Sequence, residues 1–314
     1  MLRVDIGDRT IRIPGLDLRG KRSGKTLLIT GGMDGDEYAG MEAAFRLADE
    51  FLDRDFAGRL LILPVVNLPG FEAECSESPL DGKFPKGIFP GRSNGSSTER
   101  LVAWLNEQYV SQADFWYDAH GGALTERLNP FLWTYQTGVR EVDERMERLH
   151  VRMGAETIVY EKATRGSKAN LLARRRCGYL MAESGDRGLV SEADVARHVR
   201  WLNLVMAELG MVEGSTESTV DQSYRLPSTV YRLKVLHHLS FVCAPFDGFW
   251  QAADFSKGTL RRGALVGRCT RLDQGAWHAP LRDRELKASK EGTILWWKET
   301  ARVKRGELVC AFAF

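Results

Sequence analysis

The chain has 314 residues, of which 43% are hydrophobic and 27% charged, enough apolar side chains for one large core or two unequal ones. Its net charge of +2 gives no reason to expect nucleic acid as a partner. The charged N-terminus MLRVDIGDRTI lacks the apolar core of a signal peptide, and the longest apolar run, LLILPVV at 60–66, falls far short of a membrane span, so no membrane role and a cytoplasmic location are expected.

In chain order, TLLIT (26–30) reads as a buried strand. GGMDGDEYAG (31–40) follows as a Gly-rich turn into a helix whose apolar residues Met41, Phe45, Leu47, Ala48, Phe51 and Leu52 recur at spacings of three and four. Asp34 and Glu37 sit on that turn three positions apart, where two carboxylates can converge on one cation. RLLILPVVN (59–67) reads as a second strand. STERLVAWLNEQYV (97–110) reads as a helix opened by Ser96 and Glu99 at capping-box spacing. The strand DFWYDAH (114–120) ends at His120, whose imidazole with the two carboxylates makes a plausible set of ligands for zinc or another divalent ion.

PFLWTY (130–135) and ETIVYEK (156–162) look like strands on either side of an amphipathic helix from Val142 to Met153. SKANLLARRRC (167–177) is predicted helical up to Gly178, YLMAE (179–183) is a strand, and a long helix runs from the Ser191 cap to Gly210. Alternation of this kind predicts an α/β fold with a mainly parallel sheet covered by helices. Asp34 and Glu37 follow one strand, His120 ends another and Glu183 a third, so all four fall at carboxyl ends of strands, where open α/β sheets place ligand sites.

Beyond Gly214 the pattern changes. EGSTESTVDQS (213–223) is polar, and short β-like runs such as GFW, KGTLRRGALVG and GTILWW follow, with hairpin chemistry at Lys257-Gly258 and Arg262-Gly263. The expected division is a larger domain over 1–214, a linker over 215–228 and a small β domain over 229–314. From Thr229 onward 15 Lys and Arg face 8 Asp and Glu (+7), against 29 and 34 in the remainder (−5). A basic surface of this kind is ordinarily a solvated face; its functional reading is attraction of an anionic substrate. Cys75, Cys177, Cys243, Cys269 and Cys310 are scattered with no Cys-x-x-Cys pair, which predicts reduced thiols and argues against a cysteine zinc site.

GGMDGDE, DGKFPKGIFPG (81–91), DAH (118–120) and ESG (183–185) occur in the order of four motifs: Gly-x-His-Gly-Asp/Asn-Glu, Asp-x-Asn-Arg-x-Phe-Pro-Gly, Asp-x-His and Glu-x-Gly. In this the chain resembles the succinylglutamate desuccinylase/aspartoacylase family of zinc hydrolases over essentially its whole length. The resemblance implies a carboxypeptidase A-like fold with a small C-terminal β-barrel or barrel-sandwich domain. It also implies a metal (Zn²⁺ or another divalent ion such as Mn²⁺) held by Asp34, Glu37 and His120, and Glu183 as general base and acid.

The chain departs from the family pattern in three places. Asp34 stands for its first His ligand, Lys86 and Gly87 for the Asn-Arg pair that reads the substrate carboxylate, and Ser76 falls where an upstream Arg is expected. Exchanging imidazole for an anion should weaken the metal as a Lewis acid. Lys86, Arg92 and Arg187 are the candidate substrate contacts, Lys86 as a point charge without the fork of an arginine. The ARRR run at 173–176 reads as a solvated helix face. His237 and His238, adjacent in a strand, point to opposite faces and make no metal pair.

The expected function is metal-dependent cleavage of an amide in a small N-acylated amino acid or related anionic compound, with a homo-oligomer left open. The alternatives are an inactive relative that keeps the cleft as a binding or regulatory module, and a metallocarboxypeptidase.

Overall fold

The structure, a computed structural model, describes residues 1–213, 234–256, 258–271 and 285–314. The polar stretch expected as a linker, from 215 to 228, and the Lys257 half of the first hairpin turn lie outside the described residues.

The elements run β1 (Leu2–Asp5), β2 (Thr10–Ile13), β3 (Leu16–Arg19), β4 (Arg22–Gly31), α1 (Tyr38–Asp53), β5 (Ala57–Leu63), α2 (Leu68–Glu72), α3 (Ser97–Gln108), β6 (Phe115–His120), β7 (Glu126–Leu128) and β8 (Phe131–Gln136). There follow α4 (Arg140–Met153), β9 (Thr157–Lys162), α5 (Lys168–Ala173), β10 (Gly178–Glu183) and α6 (Glu192–Glu208). The C-terminal part contains β11 (Lys234–Leu236), β12 (Leu239–Cys243), β13 (Gly248–Ala252), β14 (Thr259–Leu260), β15 (Leu265–Arg271), β16 (Glu285–Lys287), β17 (Gly292–Lys298), β18 (Thr300–Val303) and β19 (Leu308–Ala313).

The large sheet has eight strands in the order β11-β9-β8-β10-β6-β4-β5-β3. Its pairs are parallel except at β8 with β10 and at β3 with β5. Strand β6 is buried along its whole length, as a central strand covered on both faces must be. The period of two then sorts its side chains. Phe115, Tyr117 and Ala119 join Leu27, Ile29, Leu180 and Ala182 against helices α1, α4 and α6. Trp116 joins Leu28, Tyr179 and Met181 on the other face, with Leu101 and Leu105 of α3 and Leu172 of α5. Thr30, Asp118, His120 and Glu183 continue that second face by parity, so the sheet delivers them to one side of one edge.

Helix α1 presents Met41, Ala44, Leu47, Ala48 and Phe51 to the core. Phe45 and Leu52, expected on the same stripe, lie 42% and 58% exposed. Helices α3 and α6 open as their caps predict. Glu99 accepts from Ser96 N at 2.9 Å, and Ser191 Oγ accepts from Asp194 N at 3.2 Å.

The strands after β11 form two antiparallel sheets. One runs β12-β19-β17-β14, with β7 sharing the outer edge of β17, and the other β16-β15-β13-β18. The expected small barrel does not close among the described residues, because these pairings end on the edge strands β12 and β14 in one sheet and β16 and β18 in the other. The two halves exchange strands: β11 pairs with β9 at the margin of the large sheet, and β7 pairs with β17. Phe131, Val159, Leu295 and Ala313 fill the seam between them. No helix among the described residues is long and apolar enough to cross a membrane, and the five cysteines are unpaired.

His198 of α6 ties the helix layer to the central strands. Its Nε2–H is shared by the carbonyls of His120 (3.0 Å) and Ser184 (2.9 Å). Because carbonyls only accept, Nδ1 is left to accept from the Tyr117 hydroxyl at 2.9 Å. Burial pushes the His198 pKa down to about 4, against about 6.5 for an unfolded histidine. The unfolded chain therefore binds the extra proton between those values. The stability contributed by neutral His198 is complete above about pH 6.5 and is lost as pH falls toward 4. We expect His198→Phe to cost about 1–3 kcal/mol at pH 7, through the unpaired Tyr117 hydroxyl and carbonyls, and to flatten the decline in stability between pH 7 and pH 5. His150, likewise pushed down to about 4 by burial, keeps part of that decline in the variant. Urea unfolding of both proteins at the two pH values measures it, and an undiminished slope in the variant would show that His198 is not held neutral.

Candidate functional site

Three turns at the carboxyl ends of β4, β6 and β10 build the site. The chain leaves β4 through Gly32, at φ +59°, and passes Asp34 before Glu37 caps helix α1. His120 is the last residue of β6, and parallel pairing sets Glu183, the last of β10, directly beside it. Gly185 then takes φ +133°, a backbone state that suits glycine, and turns the chain away.

Asp34, Glu37 and His120 are all buried, and one ligand atom from each lies within 4.8 Å of the others. His120 Nδ1 donates to Glu37 Oε2 at 2.8 Å and lies 4.0 Å from Asp34 Oδ2. Glu37 Oε2 also accepts from Gly121 N at 3.0 Å. His120 Nε2, on the other side of the ring, is 3.4 Å from Asp118 Oδ2, without the alignment of a hydrogen bond.

Asp118 is the centre of a buried network that the sequence reading did not single out. It accepts from Thr30 Oγ1 (2.6 Å) and from the Tyr179 hydroxyl (2.9 Å), and Trp116 Nε1 donates to Thr30 Oγ1 (2.7 Å). Lys168, at the first turn of α5, donates to the Tyr179 hydroxyl at 2.8 Å. Its ammonium lies 4.5 Å above the Tyr179 ring and 5.1 Å above that of Trp116. Burial alone would raise the Asp118 pKa, but His120, Lys168 and Thr30 outweigh it and hold the carboxyl down to about 2. The strand period was a usable signal for Asp118, since it precedes His120 by two and shares its face. Nothing local marked Lys168.

Charge in the cluster is unevenly balanced. Burial pushes the Asp34 carboxyl up to about 7, against the pull of Lys86. It pushes Glu183 up to about 8, with Glu37 and Asp34 adding to the rise and His120 and Lys86 opposing it. His120 is raised well above the ordinary histidine value, since Asp118 and Glu37 on either side overcome its desolvation. Glu126 of β7 is also raised by burial, with Lys298 of β17 at 3.5 Å and Lys86 drawing it down. Lys298 brings the C-terminal sheet to the margin of the site.

The other candidate residues fall in different places. The Lys86 ammonium is in direct contact with Asp34 Oδ2. Arg92 is paired with Glu99 at the start of α3, and Arg187 with its neighbour Asp186 at 3.1 Å, so neither guanidinium is among the cluster's partners. Ser76 Oγ donates to Asp36 at 2.7 Å. The Phe89–Pro90 peptide is cis, and Gly91 at φ +80° packs so close to Ala103 that a Cβ would lie 2.3 Å from its nitrogen.

Two carboxylates and one imidazole within ligand distance of one another suit a divalent ion of the zinc or manganese type. Asp34 Oδ1, buried and without a hydrogen-bond partner among the described residues, is an oxygen such an ion would satisfy. Nδ1 of His120 faces the cluster while Nε2 faces Asp118, the outer-shell carboxylate arrangement that orients metal-bound histidines. The donor set fits the metal.

The model of the succinylglutamate desuccinylase/aspartoacylase catalytic domain matches residues 23–228. N-alpha-acetyl-L-2,4-diaminobutyric acid deacetylase of Halomonas elongata is 28% identical over 196 residues, 62% of this chain and 57% of the relative, so the match spans little more than half the relative's length. The crystal structure of a succinylglutamate desuccinylase/aspartoacylase from Rhodobacter sphaeroides superposes with a TM-score of 0.77 at 25% identity, covering 99% of this chain and 93% of that one. The product-bound ectoine utilization protein of Ruegeria pomeroyi gives 0.77 at 24% identity, over 97% and 89%. Its likeness is one of fold.

We expect Glu37→Ala and His120→Ala to abolish stoichiometric divalent metal in protein purified without chelator. Asp118→Asn, which leaves the three ligands in place, should lower zinc affinity by about 10- to 100-fold. Elemental analysis and a chelator competition measure the two effects, and parental metal content in the first two variants would refute the ligand assignment.

Proposed function

Since this chain belongs to the succinylglutamate desuccinylase/aspartoacylase family, we propose that it hydrolyses the amide bond of a small N-acylated amino acid, with an N-acetylated diamino acid as the first substrate to test. The Halomonas elongata relative, a deacetylase of such a compound, supports that choice. The observation that carries the reading is the register of β6 and β10. It sets the Glu183 carboxyl, pushed up to about 8 by burial, beside the Asp34, Glu37 and His120 cluster.

Asp34, Glu37 and His120 are the residues that would hold the metal. When bound, a divalent ion supplies Lewis acidity and lowers the pKa of water toward 7. Glu183 carries the proton. As carboxylate it takes a proton from the attacking water, and as carboxylic acid it delivers that proton to the nitrogen of the leaving amine. A pKa near the working pH keeps both forms accessible. Asp118, 3.4 Å from His120 Nε2, would orient the ring once that N–H turns onto it, and Thr30 and Tyr179 donate to the same buried carboxylate. Arg187, on the turn after Glu183, and Arg92 are the cations proposed to reach the substrate carboxylate, each by exchanging an acidic neighbour for the substrate.

One observation favours the second reading, a binding module without turnover. Asp34 stands in place of an imidazole and one of its oxygens is already taken by the Lys86 ammonium, which would lower the affinity of the site for a divalent ion.

Glu183→Gln should keep the fold and the metal content of the parent while losing about 10²- to 10⁴-fold in turnover on N-acetylated diamino acids. Steady-state kinetics with elemental analysis decide it. Near-parental turnover, or loss of metal, would remove Glu183 from this role. A parent that holds metal but turns over none of a panel of N-acyl amino acids would favour the binding module.

A further inference from the structure

Lys86 belongs to a short turn, Pro85–Gly87, in the loop between α2 and α3, 52 residues from Asp34 in sequence. Its ammonium touches Asp34 Oδ2, leaving Oδ1 of the same carboxylate buried and unpartnered among the described residues. The Asp34 side chain is 2% exposed and that of Lys86 37%, so the anion is fixed in the interior while the cation reaches it from a partly solvated stem. Glu37 and Glu183 are close enough to reinforce the charge on Lys86. Carboxylates gathered in a dry site need positive charge beside them, and Lys86 supplies part of it from the chain itself.

That contact bears on any ion held by the same carboxylate. A carboxylate already neutralised by an ammonium is a poorer donor than a free one, and an ammonium sharing its ligand repels the ion. We propose that Lys86 is a built-in counter-ion of the metal-ligand set, tethered to Asp34, which lowers the affinity of the site for divalent cations and makes Asp34 act as a nearly neutral ligand. It is therefore not a free contact for the substrate. This rests on the metal-binding reading of Asp34, Glu37 and His120. Two of the places where the sequence departs from the family pattern, the first ligand and the basic residue at 86, are then one compensated change.

Zinc affinity of the metal-stripped full-length protein, by competition with a chromophoric chelator and Zn²⁺ alone as probe, tests the proposal without reference to activity. Lys86→Met should bind zinc at least about tenfold more tightly than the parent. In an Asp34→His background the same substitution should change affinity much less, because Lys86 has lost its tether and can turn to solvent. Lys86→Gln, which can still donate to Asp34 without charge, serves if the Met variant does not fold, and should shift affinity in the same direction. Zinc affinity within about twofold of the parent overturns the proposal while leaving the metal site standing. An equal increment in both backgrounds overturns the tether. If neither parent nor Lys86→Met binds zinc, the metal reading falls and this inference with it. If only the Lys86→Met protein binds, the counter-ion role is established in its strongest form.

Discussion

The parallel registration of β4, β6 and β10 is the constraint on which the rest of the molecule depends. Side chains in a strand alternate faces, so pairing Glu183 with His120 and Thr30 with Asp118 commits both carboxylates, the imidazole and the threonine to one face at one edge. A shift of one residue in β6 would move Asp118 and His120 to the face covered by α1, α4 and α6 and bring Tyr117 and Ala119 to the site. Helix α6 guards against this slip, because His198 bonds to the carbonyls of both His120 and Ser184.

A second constraint is the pairing of buried charge. Asp118 survives burial because Thr30 and Tyr179 donate to it and Lys168 and His120 stand beside it. Three other carboxylates of the site, Asp34, Glu126 and Glu183, are raised by burial. The site is thus charge-matched around Asp118, beneath His120, and acid-rich above it. Carboxyls raised by burial beside a charge-satisfied one give the site both fixed and titratable acids.

The two halves of the chain are joined by exchange rather than by simple apposition. Strand β7, from the segment just after the His120 turn, pairs with β17, and β11, the first strand described beyond residue 213, pairs with β9. Glu126 of β7 faces Lys298 of β17, so the C-terminal sheet is registered to the loop that follows a candidate ligand.

The sequence by itself determined six of the eight strands of the larger sheet, all but β3 and β11, together with the caps at Ser96 and Ser191 and the placement of Asp34, Glu37, His120 and Glu183 at strand ends, because each is written in local periodicity or in a spacing of a few residues. Even Asp118 was within reach, two positions before His120 on the same face. Only the tertiary structure decided that Lys86 closes on Asp34 across 52 residues, that Arg92 and Arg187 are paired with Glu99 and Asp186, that Lys168 stacks on Trp116 and Tyr179, and that Phe45 and Leu52 lie outside the helix stripe that packs. The strand exchange at β7 and β11 belongs with these. Hydrophobic period reports which face of an element is apolar, but the partner of a long charged side chain is settled by which loops the packed sheet brings together and by the need of buried carboxylates for a cation, and neither has a period in sequence.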